Sequence, residues 1–482
     1  MFLGIDLGTS AVKVIAWDGE DIRAQASVGL TVSSPHPGWS EQDPGSWITA
    51  TAQAVADVAQ QIDPAGIKGI GLSGQMHGAT LLGADHQILR PCILWNDSRS
   101  AADCATLSER APQIAQVAGV PPMPGFTAPK IMWLKRAQPE TYAALRHILL
   151  PKDYVGLWLH GALATDRSDG SGTLWLDAQT GDWDPSLCAA SDTDMDWLPK
   201  VYAGTDEVGQ LRAEAAAQIG LPAGIPIYAG GGDAATGAVS VGAVAPGRGF
   251  ISLGTSGQAF LCTDAHRPNP AQMVHAFAHT LPGGHYQMSC LLNGARPLAW
   301  MAEVLGCEAG DVVTAAQEAN IARAPTCLPY LTGERSPHGD PTIRGAFIGL
   351  EDSTGRAEMA YAVMEAVAFS MADATDSFGG SLDAAPYLLA VGGGTRSDAL
   401  LQMIADATGR RLGRADGAEA GPALGAALLA ARGAGAVDDT RLATMPDVTT
   451  WFEPAARSET SLRRQERFRA SYRALAPLFA DG

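Results

Sequence analysis

A four-residue turn occurs twice in this 482-residue chain, and that repeat constrains the fold more than any other feature. Leu7-Gly8-Thr9-Ser10 follows the short apolar run Phe2 to Ile5; Leu253-Gly254-Thr255-Ser256 closes the run Phe250 to Leu253. A glycine triplet recurs as well, Gly230-Gly231-Gly232 and then Gly392-Gly393-Gly394, the second after the apolar strand Tyr387 to Val391. One strand–Gly–Thr–Ser turn and one glycine-rich turn in each half predict two similar domains facing each other. The period is about half the chain, which is a duplication; solenoid repeats run to about 20–50 residues.

Each half mixes strands and helices. Phe2 to Leu7 and Ala11 to Trp17 read as strands, the second with Val12, Val14 and Ala16 on one face. Asp18-Gly19 is a hairpin signal before the run Ile22 to Leu30. Asp43-Pro44 reads as the start of a helix with Trp47, Ala50, Ala54, Val55, Val58 and Ile62 on its buried stripe, followed by a strand from Ile67 to Leu72. In the second half, Met359 to Ala372, Ser397 to Thr408 and Pro422 to Arg432 read as helices. A boundary near Val244 to Pro246 divides the chain into domains over 1–245 and 246–440, with a helical tail over 441–482 whose amphipathic helix runs from Ser458 to Ala480.

Composition narrows the function classes. A formal net charge of −18 argues against a nucleic-acid or anionic-membrane binder, since both draw their affinity from Lys and Arg. Seven scattered cysteines, never spaced Cys-x-x-Cys, make neither a disulfide framework nor a zinc site. The most apolar late stretch, Ala420 to Ala431, is too short for a bilayer, which takes about 20 apolar residues. Acidic Asp6 stands only four apolar residues after Met1, so no secretory signal is expected and the cytoplasm is the expected location.

Asp6, at a strand end before a Gly-Thr-Ser turn, sits where backbone N–H groups and the hydroxyls of Thr9 and Ser10 surround an anion-sized concavity. A carboxylate beside a phosphate needs a divalent cation between them, which suits Asp6 to Mg²⁺. The plainer alternative is that Asp6 only braces the turn. The second Leu-Gly-Thr-Ser has Ser252 where Asp6 stood, and two apposed turns with one metal carboxylate fit an ATP triphosphate held between two domains. Asp233 follows three glycines and opens a small-residue helix; it reads as a helix cap, as a general base for an attacking hydroxyl, or as both. Gly74-Gln75-Met76-His77-Gly78 and Trp95-Asn96-Asp97-Ser98-Arg99 combine hydrogen-bonding groups with an aromatic face, as a polyol site requires. Core packing is the competing account of His77 and of Trp95. Tyr330 to His338 is rich in charge and turn residues without a mechanism of its own, and core packing accounts best for Trp300.

Three motifs are set aside. Gly69-Ile-Gly-Leu-Ser-Gly74 matches G-x-G-x-x-G but leads into Gln-Met-His-Gly, not an apolar helix, so a nicotinamide oxidoreductase is disfavoured. His275 and His279 have helical metal spacing, yet the alternation from Val274 to Ala278 is that of a strand. No G-x-x-x-x-G-K-[ST] occurs, which excludes an ordinary P-loop enzyme.

The motifs named above, with Gly125-Phe-Thr-Ala-Pro-Lys130, Leu150-Pro-Lys-Asp-Tyr154 and Gly333-Glu-Arg-Ser-Pro-His338, fall in the order seen in the FGGY carbohydrate kinases, and the chain resembles that family from residue 2 to about 430. Gln-Met-His-Gly together with Trp-Asn-Asp-x-Arg resembles the members that act on D-xylulose. The resemblance implies an α/β fold of two similar domains of the actin/hexokinase/Hsp70 (ribonuclease H-like) type with an ATP cleft between them. It implies γ-phosphoryl transfer from Mg²⁺·ATP to the 5-hydroxyl of D-xylulose, with another ketose or polyol as the alternative and a non-sugar actin-like ATPase as the more distant one. Asp233 is then the base, and Asp6 helps hold Mg²⁺. Gln75, Met76, His77, Trp95, Asp97, Arg99 and Asp233 are expected at the sugar; Gly8, Thr9, Ser10, Lys13, Gly254, Thr255, Gly393 and Gly394 at ATP. Expected partners are small molecules, with no nucleic acid and no membrane, and a homodimer is left open. One position departs from the family pattern: Ala234 stands after the base where similar sequences often carry Asn, so an amide that would bond a sugar hydroxyl is missing.

Overall fold

The computed structural model describes residues 1–415 and 421–480; Ala420, which opens the late apolar stretch, lies outside them. The apolar alternation of the first forty residues becomes an antiparallel meander, β1 (Phe2–Leu7), β2 (Ala11–Trp17) and β3 (Ile22–Gly29). Asp18 fixes the β2–β3 turn by accepting the N–H groups of Glu20 and Asp21 on Oδ1, each at 2.9 Å. Beyond β1 lie β4 (Gly69–Gly74) and β6 (Pro226–Gly232), both parallel, with β5 (Glu207–Gln210) antiparallel at the edge. The sheet order is β5-β6-β4-β1-β2-β3.

The second sheet repeats that plan. β7 (Gly249–Leu253), β8 (Gly257–Thr263) and β10 (His285–Leu291) form its meander, β11 (Leu388–Val391) and β12 (Leu412–Ala415) its parallel strands, and β13 (Val448–Phe452) its antiparallel edge. One strand is added outside β10, β9 (His275–Ala278), giving β9-β10-β8-β7-β11-β12-β13. The duplication read from two turns is thus a duplication of whole sheets.

Helix α1 (Pro44–Ala59) starts as expected, with Asp43 Oδ1 accepting the Gly45 N–H, and buries Trp47, Ala50, Ala54, Val55 and Val58 against Val12, Val14 and Ala16. Ile62 is a correction: the helix ends before it, because Asp63-Pro64 starts a separate 3₁₀ turn. Helix α2 (Thr127–Ala137) begins within the Gly125–Lys130 motif. Helices α3 (Asp233–Ser240) and α6 (Gly421–Gly433) follow the equivalent strands β6 and β12. Between them in the chain come α4 (Arg356–Asp376), the centre of the second core, and α5 (Asp398–Thr408), capped by Ser397.

The chain division at 245/246 does not carry over into space for α6. This helix comes from the second half but lies on the first sheet: a Cβ at Gly4 or Gly71 would overlap the carbonyl oxygens of Ala423 or Ala426. Conversely, Ala235 and Ala238 of α3 share a buried cluster with Phe250, Phe260 and Leu389 of the second sheet. The two helices touch backbone to backbone, since a Cβ at Gly425 would overlap the Thr236 carbonyl. The tail helix α7 (Glu459–Phe479) docks on α4: Phe468 is buried, Arg464 grips Glu365 through Nε and Nη2 at 2.7 Å each, and Arg469 Nε donates to Asp373 at 2.6 Å. Among the described residues no helix is long and apolar enough to cross a membrane.

Candidate active site

Asp233 is the first residue of α3, at the point where two cavities meet. One, of about 290 Å³, is lined by Met76, His77, Trp95, His275, Cys290 and Arg335 among others; the second, of about 300 Å³, by Gly237, Val241, Phe250, Val391 and Pro422 among others. Asp233, Ala234, Ser252 and Gln258 border both. The cap of α3 is Gly232, so Asp233 is not itself the N-cap; its Oδ1 accepts the neighbouring Ala234 N–H at 2.8 Å. Burial, then the like charge of Asp6, push its pKa up to about 7.

Asp6, next to last in β1, lies near enough for its charge to act on Asp233. Register pairs Asp6 with Ser73 on β4 and Lys13 on β2. Ser73 Oγ donates to Asp6 Oδ1 at 2.9 Å and lies 2.7 Å from Thr236 Oγ1 on α3, which ties the two carboxylates into one framework. Burial raises the Asp6 pKa to about 6 against the lowering effect of Ser73 and the Lys13 charge.

Of the residues expected at the sugar, Met76, His77, Trp95 and Asp233 border the cavity. His77 is held in a left-handed backbone conformation, φ 69°, with Lys130 Nζ and Thr127 Oγ1 donating to its carbonyl at 2.7 and 3.1 Å. Its Nδ1 lies 2.7 Å from the Gly172 carbonyl, which can only accept. The ring is therefore a neutral tautomer with Nε2 as acceptor, and burial drives its pKa down to about 3. The core and ligand accounts of this histidine hold together: one nitrogen is satisfied by the fold, and the ring borders the cavity.

Gln75, Asp97 and Arg99 are expected at the sugar as well, and the structure uses them elsewhere. Gln75 is buried, its Nε2 donating to Gln42 Oε1 and its Oε1 accepting from Thr9 Oγ1, both at 2.9 Å. Asp97 accepts the Ser40 N–H and binds Arg99 through Nε and Nη2, while Arg99 Nη1 donates to Glu41 and its guanidinium lies 3.6 Å over Trp39. Paired groups this deeply enclosed brace the cavity wall from behind. Arg335, Gln258 and His275 were missed. Arg335 stands in the Gly333–His338 loop with its guanidinium 6.0 Å from the Trp95 ring, and β9, which carries His275, sits at the sheet edge. Arg335 lies within the Gly333–His338 motif, His275 was weighed only as a metal ligand with His279 and set aside, and Gln258 gave no local signal.

Of the residues expected at ATP, the Thr9 hydroxyl is already engaged, accepting from Trp95 Nε1 at 3.0 Å and donating to Gln75. Gly8 and, on β2, Lys13 are half-buried, and Ser10 is exposed. Gly254 borders the first cavity with Ser256, and Thr255 accepts the Gly294 N–H through its carbonyl at 3.0 Å. The Gly392-Gly393-Gly394 turn packs on Leu253, so the second Gly-Thr-Ser turn and the second triplet form one glycine-rich rim. Trp300 stacks at 6.5 Å on Phe347, packed against the second core, as the core reading expected.

Two like-folded α/β halves enclosing a cleft, with a carboxylate at the junction of its two chambers, define a two-domain kinase of the actin/hexokinase type. The family comparison gives the same class a name. The N-terminal domain of the FGGY family of carbohydrate kinases matches residues 1–240, the C-terminal domain matches residues 249–434, and the chain belongs to that family. It is 42% identical to a xylulose kinase of Escherichia coli over the whole of both chains, and 42% identical to one of Klebsiella pneumoniae over 89% of each. Among solved structures, a xyloylose kinase from Brucella ovis aligns with TM-score 0.93 at 39% identity, and a gluconate kinase from Lactobacillus acidophilus with TM-score 0.92 at 25%, each over at least 99% of both chains.

Proposed function

We propose that this enzyme transfers the γ-phosphoryl group of ATP to the 5-hydroxyl of D-xylulose. The observation that carries the reading is the position of Asp233 between a cavity of about 290 Å³, which presents the hydrogen-bonding side chains of His77, Gln258 and Arg335, and a second chamber at the interdomain helices. The names of the curated relatives support the choice of sugar. The gluconate kinase with nearly the same fold means that the choice rests on side chains and not on architecture.

In this reading the sugar lies against Met76, His77, Trp95 and Arg335, with its reacting hydroxyl at Asp233. The Asp233 carboxylate takes the hydroxyl proton as the oxygen attacks phosphorus; a base titrating near 7 matches that task at neutral pH. Amides of the Gly254-Thr255 and Gly393-Gly394 turns cradle the phosphates, and the Gly8–Ser10 turn faces them from the first domain. Mg²⁺ fits here, because Asp6 and Asp233 are enclosed carboxylates that already repel each other. Among the described residues no group of three or more His, Cys, Asp or Glu side chains could hold a metal, so Asp6 would hold the ion together with phosphate oxygens and water. When bound, the ion neutralises charge on the transferring phosphoryl group. Closure of the two domains, divided near residue 245 but interlocked by α3 and α6, keeps water from the phosphate.

Ala234 favours one second reading, a related ketose or polyol, since the missing amide weakens a contact worth about 1 kcal/mol. A coupled ADP-release assay with D-xylulose, ribulose, xylitol and glycerol separates the two. Selective stimulation by D-xylulose is the expected result. A stronger response to another polyol moves the specificity, and no response to any sugar overturns the kinase reading for these substrates.

A further inference from the structure

His275 opens β9 and borders the sugar-side cavity, and it is fully buried. Neither of its ring nitrogens has a hydrogen-bond partner in the protein. Buried polar atoms are almost always paired, so two orphaned nitrogens on one ring need an account. His77, on the same cavity, differs: its Nδ1 is taken by Gly172. Nor is the His275 ring free to turn toward another partner. Phe277 stacks on it at 5.3 Å and 24°, and Phe126 meets it edge-on at 5.6 Å and 75°. Phe126 in turn lies 4.3 Å from the His77 ring, so one aromatic side chain orients both histidines.

The chemistry of the ring is equally defined. Burial, then the charge of Arg335 nearby, holds its pKa well below the ordinary histidine value. It therefore presents one N–H donor and one lone pair, the pair of functions that a hydroxyl answers. His275 borders the cavity containing His77 and Trp95 and is absent from the chamber lined by Phe250 and Val391, whereas Asp233 borders both. A sugar whose reacting hydroxyl lies at Asp233, where the two cavities meet, and whose body fills the first cavity meets His275 with another of its hydroxyls.

We propose that His275 is a specificity-determining residue that hydrogen-bonds the C1 hydroxyl of the bound ketose, the end opposite its reacting 5-hydroxyl. The assignment rests on the D-xylulose reading above. A site built to pair a substrate hydroxyl rejects the analogue lacking it, because its own polar group is left unpaired.

The test compares D-xylulose with 1-deoxy-D-xylulose in the wild type, in His275→Phe, which keeps the ring and removes both nitrogens, and in His275→Gln. Folding is read by melting temperature and its shift with ATP. The wild type is expected to lose about 100-fold or more in kcat/KM on the deoxy sugar. His275→Phe is expected to lose a similar factor on D-xylulose, mostly through KM, and less than about threefold on the deoxy sugar. Equal losses on both sugars, or an undiminished His275→Phe enzyme on D-xylulose, overturn the proposal. Should His275→Phe not fold, His275→Gln decides: a tenfold change in the ratio between the sugars supports the contact, and an unchanged ratio overturns it. A wild type without D-xylulose-dependent ADP release fails at the kinase reading itself, whereas an active wild type with a ratio insensitive to position 275 fails only at His275.

Discussion

Pairing the two sheets strand for strand sets β1 against β7 and β4 against β11, so Gly4 corresponds to Phe250 and, through the register, Gly71 to Leu389. In the first sheet the glycine pair lets α6 lie with its backbone on the strands. In the second, Phe250 stacks on Phe260 at 5.0 Å and 8° and helps wall the chamber beside Asp233. The two turns diverge in the same way: Asp6 precedes the first, Ser252 the second. Duplication supplied two equivalent frames. Side-chain volume and charge then made one of them a seat for the crossing helix and for Asp6, and the other a wall for the second chamber.

That asymmetry can be broken by substitution. The largest effect is expected at Asp233, which has no acidic counterpart on the described part of α6. Asp233→Asn should lower kcat by about 10²–10⁴-fold while the protein stays folded; a near-normal kcat would remove Asp233 from the role of base. The same variant carries a pH signature in the absence of nucleotide and metal. In the unfolded chain this carboxyl loses its proton near 3.8, in the native protein near 7. Between those values the unfolded state binds fewer protons, so this group's contribution to wild-type stability falls as pH rises through the window and levels off above it. Asn has no such loss. The melting temperature of Asp233→Asn should therefore gain on wild type from pH 4 to pH 7, by the equivalent of at most a few kcal/mol.

Next come the two turns themselves. Asp6→Asn should cost about 10- to 100-fold in kcat/KM and raise the Mg²⁺ concentration needed for half-maximal rate. Ser252→Ala, at the matching position, should cost less than about threefold. Equal losses would mean that the two turns are used symmetrically. The smallest effect separates the sheets by packing: Gly71→Ala forces a methyl group into the Ala426 carbonyl and should destabilise by about 1–3 kcal/mol in urea unfolding, through overpacking. Leu389→Ala, at the equivalent place, should destabilise by a comparable or larger amount through the opposite defect, a cavity.

Much of this molecule was legible in its sequence because the signals are local. Asp43-Pro44 starts a helix, Asp18 closes a hairpin and Ser397 caps a helix through contacts within a few residues. The site was half legible. Met76, His77, Trp95 and Asp233, expected at the sugar, all border one cavity. Gln75, Asp97 and Arg99, which share the same motifs, turn out to be bracing groups. A motif tells which residues travel together; it does not tell which member faces the cavity and which faces Gln42 or Glu41 behind it.

By itself, then, the sequence determined the duplication, the α/β class, the two carboxylates and the glycine-rich turns, because each is written in short-range spacing and backbone preference. Only the tertiary structure decided that the strand carrying Gly71 lies under α6, a helix from the other half of the chain. It alone placed Arg335 over Trp95, and it left the nitrogens of His275 without partners. Those outcomes depend on which surfaces meet across hundreds of residues of chain, where burial, charge and excluded volume act between groups that no local spacing relates.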